Sequence, residues 1–118
     1  MKKVILPTLH DAWVNDFSFV RDTARLVVCL TKGAIDSKPE IHYKLIFSGI
    51  MNAETVWRMD QRIRKILQKE RRSNLNYRID NFNDCDLLPS ETGLAFCLEI
   101  DHLEALRINC RKLSIQEV

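Results

Sequence analysis

The sequence predicts an α+β domain: a mostly antiparallel β-sheet of five to six strands carrying one amphipathic helix. Three observations predict it. Apolar residues alternate with polar ones in several short runs, the period of strands with one buried face. A single stretch, in the middle of the chain, carries apolar residues at helical spacing instead. The strand runs follow one another through short polar connections, which give hairpins and antiparallel pairing.

The first hairpin is the clearest element. In WVNDFSFVRDTARLVVCL, Trp13, Phe17 and Phe19 share one parity, with Asn15 as a polar exception, and Ala24, Leu26, Val28 and Leu30 share another. Strands over 13–20 and 23–31 follow, with Arg21-Asp22 at the turn, which lacks the Asn-Gly or Asp-Gly of the tightest hairpins. Residues 1–9 lead in as a short irregular or edge segment, where Pro7, with no N–H to give a ladder, is tolerated. The stretch TKGAIDSKPE is a loop by composition. A third strand covers 40–48, with Ile41, Tyr43, Leu45 and Phe47 in alternation, and ends at Ser48-Gly49.

The helix is expected over 53–72. Asn52 suits the N-cap and Glu54 suits the positive end of the helix dipole. Val56, Met59, Ile63, Ile66 and Leu67 form its apolar stripe. Thr55-Val56-Trp57 also fits a short strand, which would shorten the helix to 59–72. Leu75 to Ile79 alternates as a strand, and Asn81 to Thr92, polar and acidic, reads as a loop. Leu94, Phe96, Leu98 and Ile100 then pair with Leu106, Ile108 and Cys110 in a second hairpin. The parity slips after Cys110, so Leu113 and Ile115 imply a bulge or a new short element. The expected core is Trp13, Phe17, Phe19, Leu26, Val28, Tyr43, Leu45, Phe47, Ile63, Leu67, Phe96, Leu98 and Ile108. The stripe of the helix covers one face of the sheet or seals the end of a curled one.

The 118 residues, 46% hydrophobic and 29% charged, fit one domain spanning 1–118 with a real core. A net charge of +2 is too small to call for a polyanionic partner of the whole chain. The apolar run Val4-Ile5-Leu6 is broken by Pro7 and is too short for a secretory signal. No run reaches the ~18 apolar residues of a membrane span. Of Cys29, Cys85, Cys97 and Cys110, three lie in apolar strand patterns, so the expectation is buried, reduced thiols in a cytoplasmic protein with no membrane association.

Little in the sequence points to catalysis. His10-Asp11 has the residue types of a general base with its orienter, or of two metal ligands. Neighbours on a strand face opposite ways, however, and a turn in which Asp11 bonds backbone N–H groups is the simpler reading. His10, His42, His102 and the cysteines lack any metal-ligand spacing. The three glycines, Gly33, Gly49 and Gly93, stand apart and form no phosphate loop. The expectation is therefore no catalytic residue, no cofactor and no metal.

Charge is more informative. Residues 58–72 hold Arg58, Arg62, Arg64, Lys65, Lys69, Arg71 and Arg72 against Asp60 and Glu70, seven minus two or +5, which leaves −3 for the rest of the chain. Three readings fit: a solvated helix face, or one paired with the acidic loop of Asp80, Asp84, Asp86 and Glu91; a nucleic-acid-binding surface; or a docking surface for an acidic protein. A phosphate binder needs Arg62, Lys65, Lys69 and Arg72 exposed together. A protein binder would use Trp57 with Arg58 and Arg62 as its aromatic and arginine anchors.

The box Leu9-His10-Asp11-Ala12 and the hairpin after it resemble the opening of small bacterial domains of unknown function. Leu45-Ile46-Phe47-Ser48-Gly49-Ile50 resembles their hydrophobic–Phe–x–Gly–hydrophobic strand end, and Leu106-Arg107-Ile108-Asn109-Cys110 their final strand. Some such domains are grouped with immunity proteins of bacterial toxin systems. The resemblance implies a non-catalytic protein-binding inhibitor. The expectation is thus a protein-binding module contacting its partner through Trp57, Arg58, Arg62, Lys65, Lys69 and Arg72, with no oligomeric state specified. The alternative is a nucleic-acid-binding module using the basic helix 58–72.

Overall fold

The computed structural model describes residues 9–33 and 39–118. Most of the lead-in segment and the middle of the loop after the second strand lie outside them. Among the described residues the order is β1 (Trp13–Val20), β2 (Arg25–Lys32), β3 (Ile41–Ser48), α1 (Ala53–Glu70), β4 (Tyr77–Asp84), β5 (Leu94–Ile100), β6 (Leu106–Cys110) and β7 (Lys112–Glu117). The strands form one sheet in the order β6-β5-β4-β1-β2-β3-β7. Every pairing is antiparallel. The fold is therefore α+β with one helix, and the sheet has seven strands where five or six were expected.

The sheet curls until its two ends meet. Phe47 on β3 packs edge-on against Phe82 on β4 and Phe96 on β5, with ring centroids 6.0 and 5.8 Å apart. Yet β1 and β2 lie between β3 and β4 in the strand order. Only a sheet folded over on itself brings those rings together. The chain itself closes the gap: Arg111 alone separates β6, at one end of the order, from β7, at the other. The parity slip after Cys110 is this step from one end of the sheet to the other. Gly93 sits under the step with φ +78°, and a Cβ there would lie 2.5 Å from the Cys110 carbonyl oxygen, so only glycine fits.

A curled sheet still leaves strand edges exposed, and the helix covers two of them. β1 pairs with β4 only at Trp13 and Val14, so its remaining length is open on that side. Asp60, on the buried side of α1, accepts the Phe19 N–H at 3.1 Å. At the other end of the helix, Asn52 precedes the first turn but makes no side-chain cap. Its amide instead bonds the edge of β6, giving a hydrogen bond to the Arg107 carbonyl at 2.7 Å and accepting the Asn109 N–H at 3.0 Å. Unpaired edges invite association with other chains, and a covering helix removes that hazard. Helical geometry holds from Ala53, so Thr55-Val56-Trp57 is helix and not a strand. The helix stops at Glu70, two residues before the expected end, because Arg71 turns left-handed at φ 52°.

Ten of the thirteen expected core residues are buried, and Tyr43 and Leu67 pack half-buried against them. Trp13 is the exception, at 37% exposure. The β1–β2 register shifts between Val14 and Asp16, so Asn15 is bulged. The bulge reverses parity, putting Val14 inward and Trp13 outward, while Phe17 and Phe19 stay in the core. A second correction has the same cause. The stretch 81–84, expected as loop, belongs to β4, whose register with β5 shifts between Ile79 and Asn81. Ile79 and Phe82 both point inward across that bulge, and Phe82 stacks on Phe96 at 5.7 Å. The second strand starts at Arg25, not residue 23, because Arg21 to Ala24 form the turn and Ala24 sits at φ 50°.

Candidate functional site

The helix has one face against the sheet and one in solvent. Val56, Met59, Asp60 and Ile63 are buried. Arg58, Arg62, Lys65 and Lys69 recur every three to four residues on the exposed side. Their surroundings differ. Arg58 lies 3.6 Å from Glu54 on the turn before it, and Arg62 pairs with Glu104 at 2.6 Å. Arg64 reaches back to Asp60 at 2.9 Å, and Arg72 pairs with Glu70. Lys65 and Lys69 make no ion pair with another described residue. The acidic stretch Asp80, Asp84, Asp86 and Glu91 neutralises none of these cations among the described residues; Glu91 holds Arg107 instead.

Trp57 is half-buried against the core, and the Arg21 guanidinium lies 4.9 Å from its ring centre. The accessible aromatic is Trp13, turned outward by the bulge, with Arg78 directly opposite it on β4 and 4.5 Å over its ring. Trp13, Asn76, Tyr77, Arg78, Asp101 and His102 line an open cleft of about 280 Å³. Tyr77 meets His102 at 5.1 Å and Arg72 at 5.4 Å, so the end of the helix adjoins the cleft. The turn holding His102 also supplies Glu104 to Arg62. The end of the helix and the cleft therefore adjoin on a surface of mixed charge. The parity pattern concealed it, since Trp13 was assigned to the core. The available signal was Asn15, the polar residue that broke the alternation.

His10 and Asp11 come together at an exposed turn, 3.5 Å apart. The Asp11 N–H bonds the Ile79 carbonyl at 2.9 Å, the Ala12 N–H bonds that of Leu9 at 2.9 Å, and Asp11 has φ 66°. His10 Nδ1 lies 2.8 Å from the Asp80 carbonyl oxygen and donates to it. The pair fastens the start of β1 onto β4. Among the described residues no three His, Cys, Asp or Glu side chains converge as a metal site. No helix among them is long and apolar enough to cross a membrane.

A separate cluster sits on the outer surface of β4–β6. Cys85 and Cys97 have their sulfurs 3.6 Å apart, and Arg107 Nη1 is 3.3 Å from Cys85 Sγ. Arg107 also donates to both oxygens of Glu91, through Nε at 3.1 Å, and to the Asp86 carbonyl at 2.6 Å. That pairing, with the Leu88 N–H, holds the Glu91 carboxyl below the ordinary carboxylate range. Burial pushes the Cys85 thiol up to about 11, with the neighbouring Cys97 adding to it and Arg107 opposing. Cys110 alone among the four is fully buried, which raises it to about 11; Cys29, Cys85 and Cys97 are half-buried. No family model, curated protein or solved structure matches the chain.

Proposed function

We propose that the protein is a non-catalytic protein-binding module that seats an acidic partner on the exposed face of α1 and the adjoining Trp13 cleft. The observation that carries this reading is the mixed character of the helix face. Lys65 and Lys69 have no ion-pair partner among the described residues, while Arg58, Arg62 and Arg72 already have carboxylate partners. A polyphosphate backbone would meet Glu54, Glu70 and Glu104 along with the cations, and those carboxylates repel it. A folded acidic partner can place its carboxylates at the lysines and its neutral groups elsewhere. Trp13 and Arg78 replace Trp57 as the anchor, being accessible and of the residue types that dominate interface energies. The resemblance of the Leu9–Ala12 box and the strand ends to immunity-type domains takes the reading one step further, to an inhibitor of a bacterial toxin.

The competing reading is nucleic-acid binding through residues 58–72, and titration separates the two. Duplex and single-stranded DNA should show no binding tighter than about 10⁻⁴ M at moderate salt, the weak end of non-specific association. Salt-sensitive micromolar binding, abolished by Arg62→Glu with Lys65→Glu, would move the protein to the nucleic-acid class.

A further inference from the structure

The sulfur pair on β4–β5 has a geometry that neither core packing nor the proposed docking surface uses. Asn83 pairs with Cys97 and Asp84 with Phe96, so Cys85 comes next, opposite Ala95, whose carbonyl accepts its N–H at 2.9 Å. Cys85 and Cys97 are therefore diagonal neighbours on the same side of the sheet. Phe82, Phe96 and Leu98 point to the core on the other side. Both residues are half-buried, and the Cys97 thiol donates to Cys85 Sγ across 3.6 Å. A disulfide needs about 2.05 Å, so the sulfurs must close by about 1.6 Å. Cys85 can supply that movement, because β4 ends at Asp84 and an irregular connection follows.

We propose that Cys85 and Cys97 are a reversible oxidation site, closing to an intramolecular disulfide by exchange with a small disulfide of the glutathione class. The Cys85 thiolate attacks one sulfur of glutathione disulfide, whose S–S bond breaks and whose other half leaves as a thiolate that takes up a proton. Cys97 loses its proton and attacks Cys85 Sγ in the mixed disulfide, releasing the second glutathione. Two protein thiols give up two electrons and two protons, and one glutathione disulfide becomes two thiols. Cys85 is the first nucleophile because Arg107 Nη1 lies 3.3 Å from its sulfur and is the charge beside the pair that favours a thiolate there. Arg107 is the positioning residue. The groups facing the pair are Arg107, Glu91 and the Asp86 carbonyl. Since burial holds Cys85 near 11, thiolate is scarce at neutral pH and exchange accelerates about tenfold per pH unit towards that value.

The test uses the full chain in glutathione redox buffers, followed by acid quenching, alkylation, digestion and mass spectrometry. The expected product links the Cys85 and Cys97 peptides, is lighter by two hydrogens, and reopens with dithiothreitol. The ring encloses residues 86–96, and its closure should raise the melting temperature by about 10 °C. Cys97→Ala should instead arrest at the glutathione adduct of Cys85. Two results overturn the proposal: Cys85 and Cys97 both remaining alkylatable in fully oxidised buffer, or a cross-link joining either of them to Cys29 or Cys110. The wild-type mapping decides the matter even if the alanine variant does not fold.

Discussion

The two sides of α1 carry similar charged residues and use them in opposite ways. On the inner side Asp60 is fully buried, and its oxygens take the Phe19 N–H, Arg64 Nε and Gln61 Nε2. On the outer side Lys65 and Lys69 stand in water. An isolated charge inside a protein is very costly, so Asp60 persists because three donors, one of them a guanidinium, are turned on its oxygens. A charge in water is cheap to hold and contributes little to stability, which leaves it free for a partner. Burial, not residue type, separates a structural anchor from a charge left to the proposed docking surface.

The largest expected effect breaks the inner side. Asp60→Ala strands the Phe19 N–H at the open edge of β1 and should cost about 3 kcal/mol by denaturant unfolding. Ile63→Ala, on the same side, should cost about 2–5 kcal/mol. Arg64→Ala should cost less, about 1–2 kcal/mol, because the Arg64 head is half-solvated and buried Asp60 keeps two donors. Near-equal losses for Asp60→Ala and Arg64→Ala would refute the anchor role.

A pH experiment extends the comparison to the half-buried pair Glu91–Arg107. The Glu91 carboxyl titrates below its unfolded value, so its stabilisation is complete above about pH 5 and fades as the pH falls through that lowered range. Glu91→Gln should flatten this part of the acid-unfolding profile, and an unchanged profile would contradict the pairing. A smaller effect is expected where the helix ends. Arg71 holds a left-handed conformation without being glycine. Arg71→Gly should therefore stabilise the protein by about 0.5–1 kcal/mol, seen as a higher melting temperature. The smallest effect lies on the outer side: Lys65→Ala with Lys69→Ala should change stability by less than about 0.5 kcal/mol.

The elements that follow their own period were legible in the sequence. Phe17, Phe19, Leu26 and Val28 alternate without interruption, and their strands form as expected. What was hidden lies at irregularities. A bulge adds one residue, so inward positions fall three apart and the alternation reads as noise. Asn15 hid the outward turn of Trp13, and the bulge before Asn81 made the strand read as ending at Ile79, with Phe82 inside a loop. The step at Arg111 left a parity slip but no sign that β7 would pair with β3. Asp60 was counted with the solvated charges, although it lies four residues after Val56 and three before Ile63, within the apolar stripe. An acid in that position has to be buried against a donor on another element. The Cys85–Cys97 approach needed the β4–β5 register, which no local pattern supplies.

The central claim is that the outer side of α1 holds an acidic protein. The most direct measurement compares wild-type protein with the Lys65→Glu, Lys69→Glu variant as affinity baits in nuclease-treated lysate of the source cells. Both baits should first be shown to unfold at similar temperatures. The account predicts one acidic protein retained by the wild type at low salt, released as salt rises, and lost with the variant. Retention of that protein by both baits, or of no acidic protein by the wild type, would contradict it.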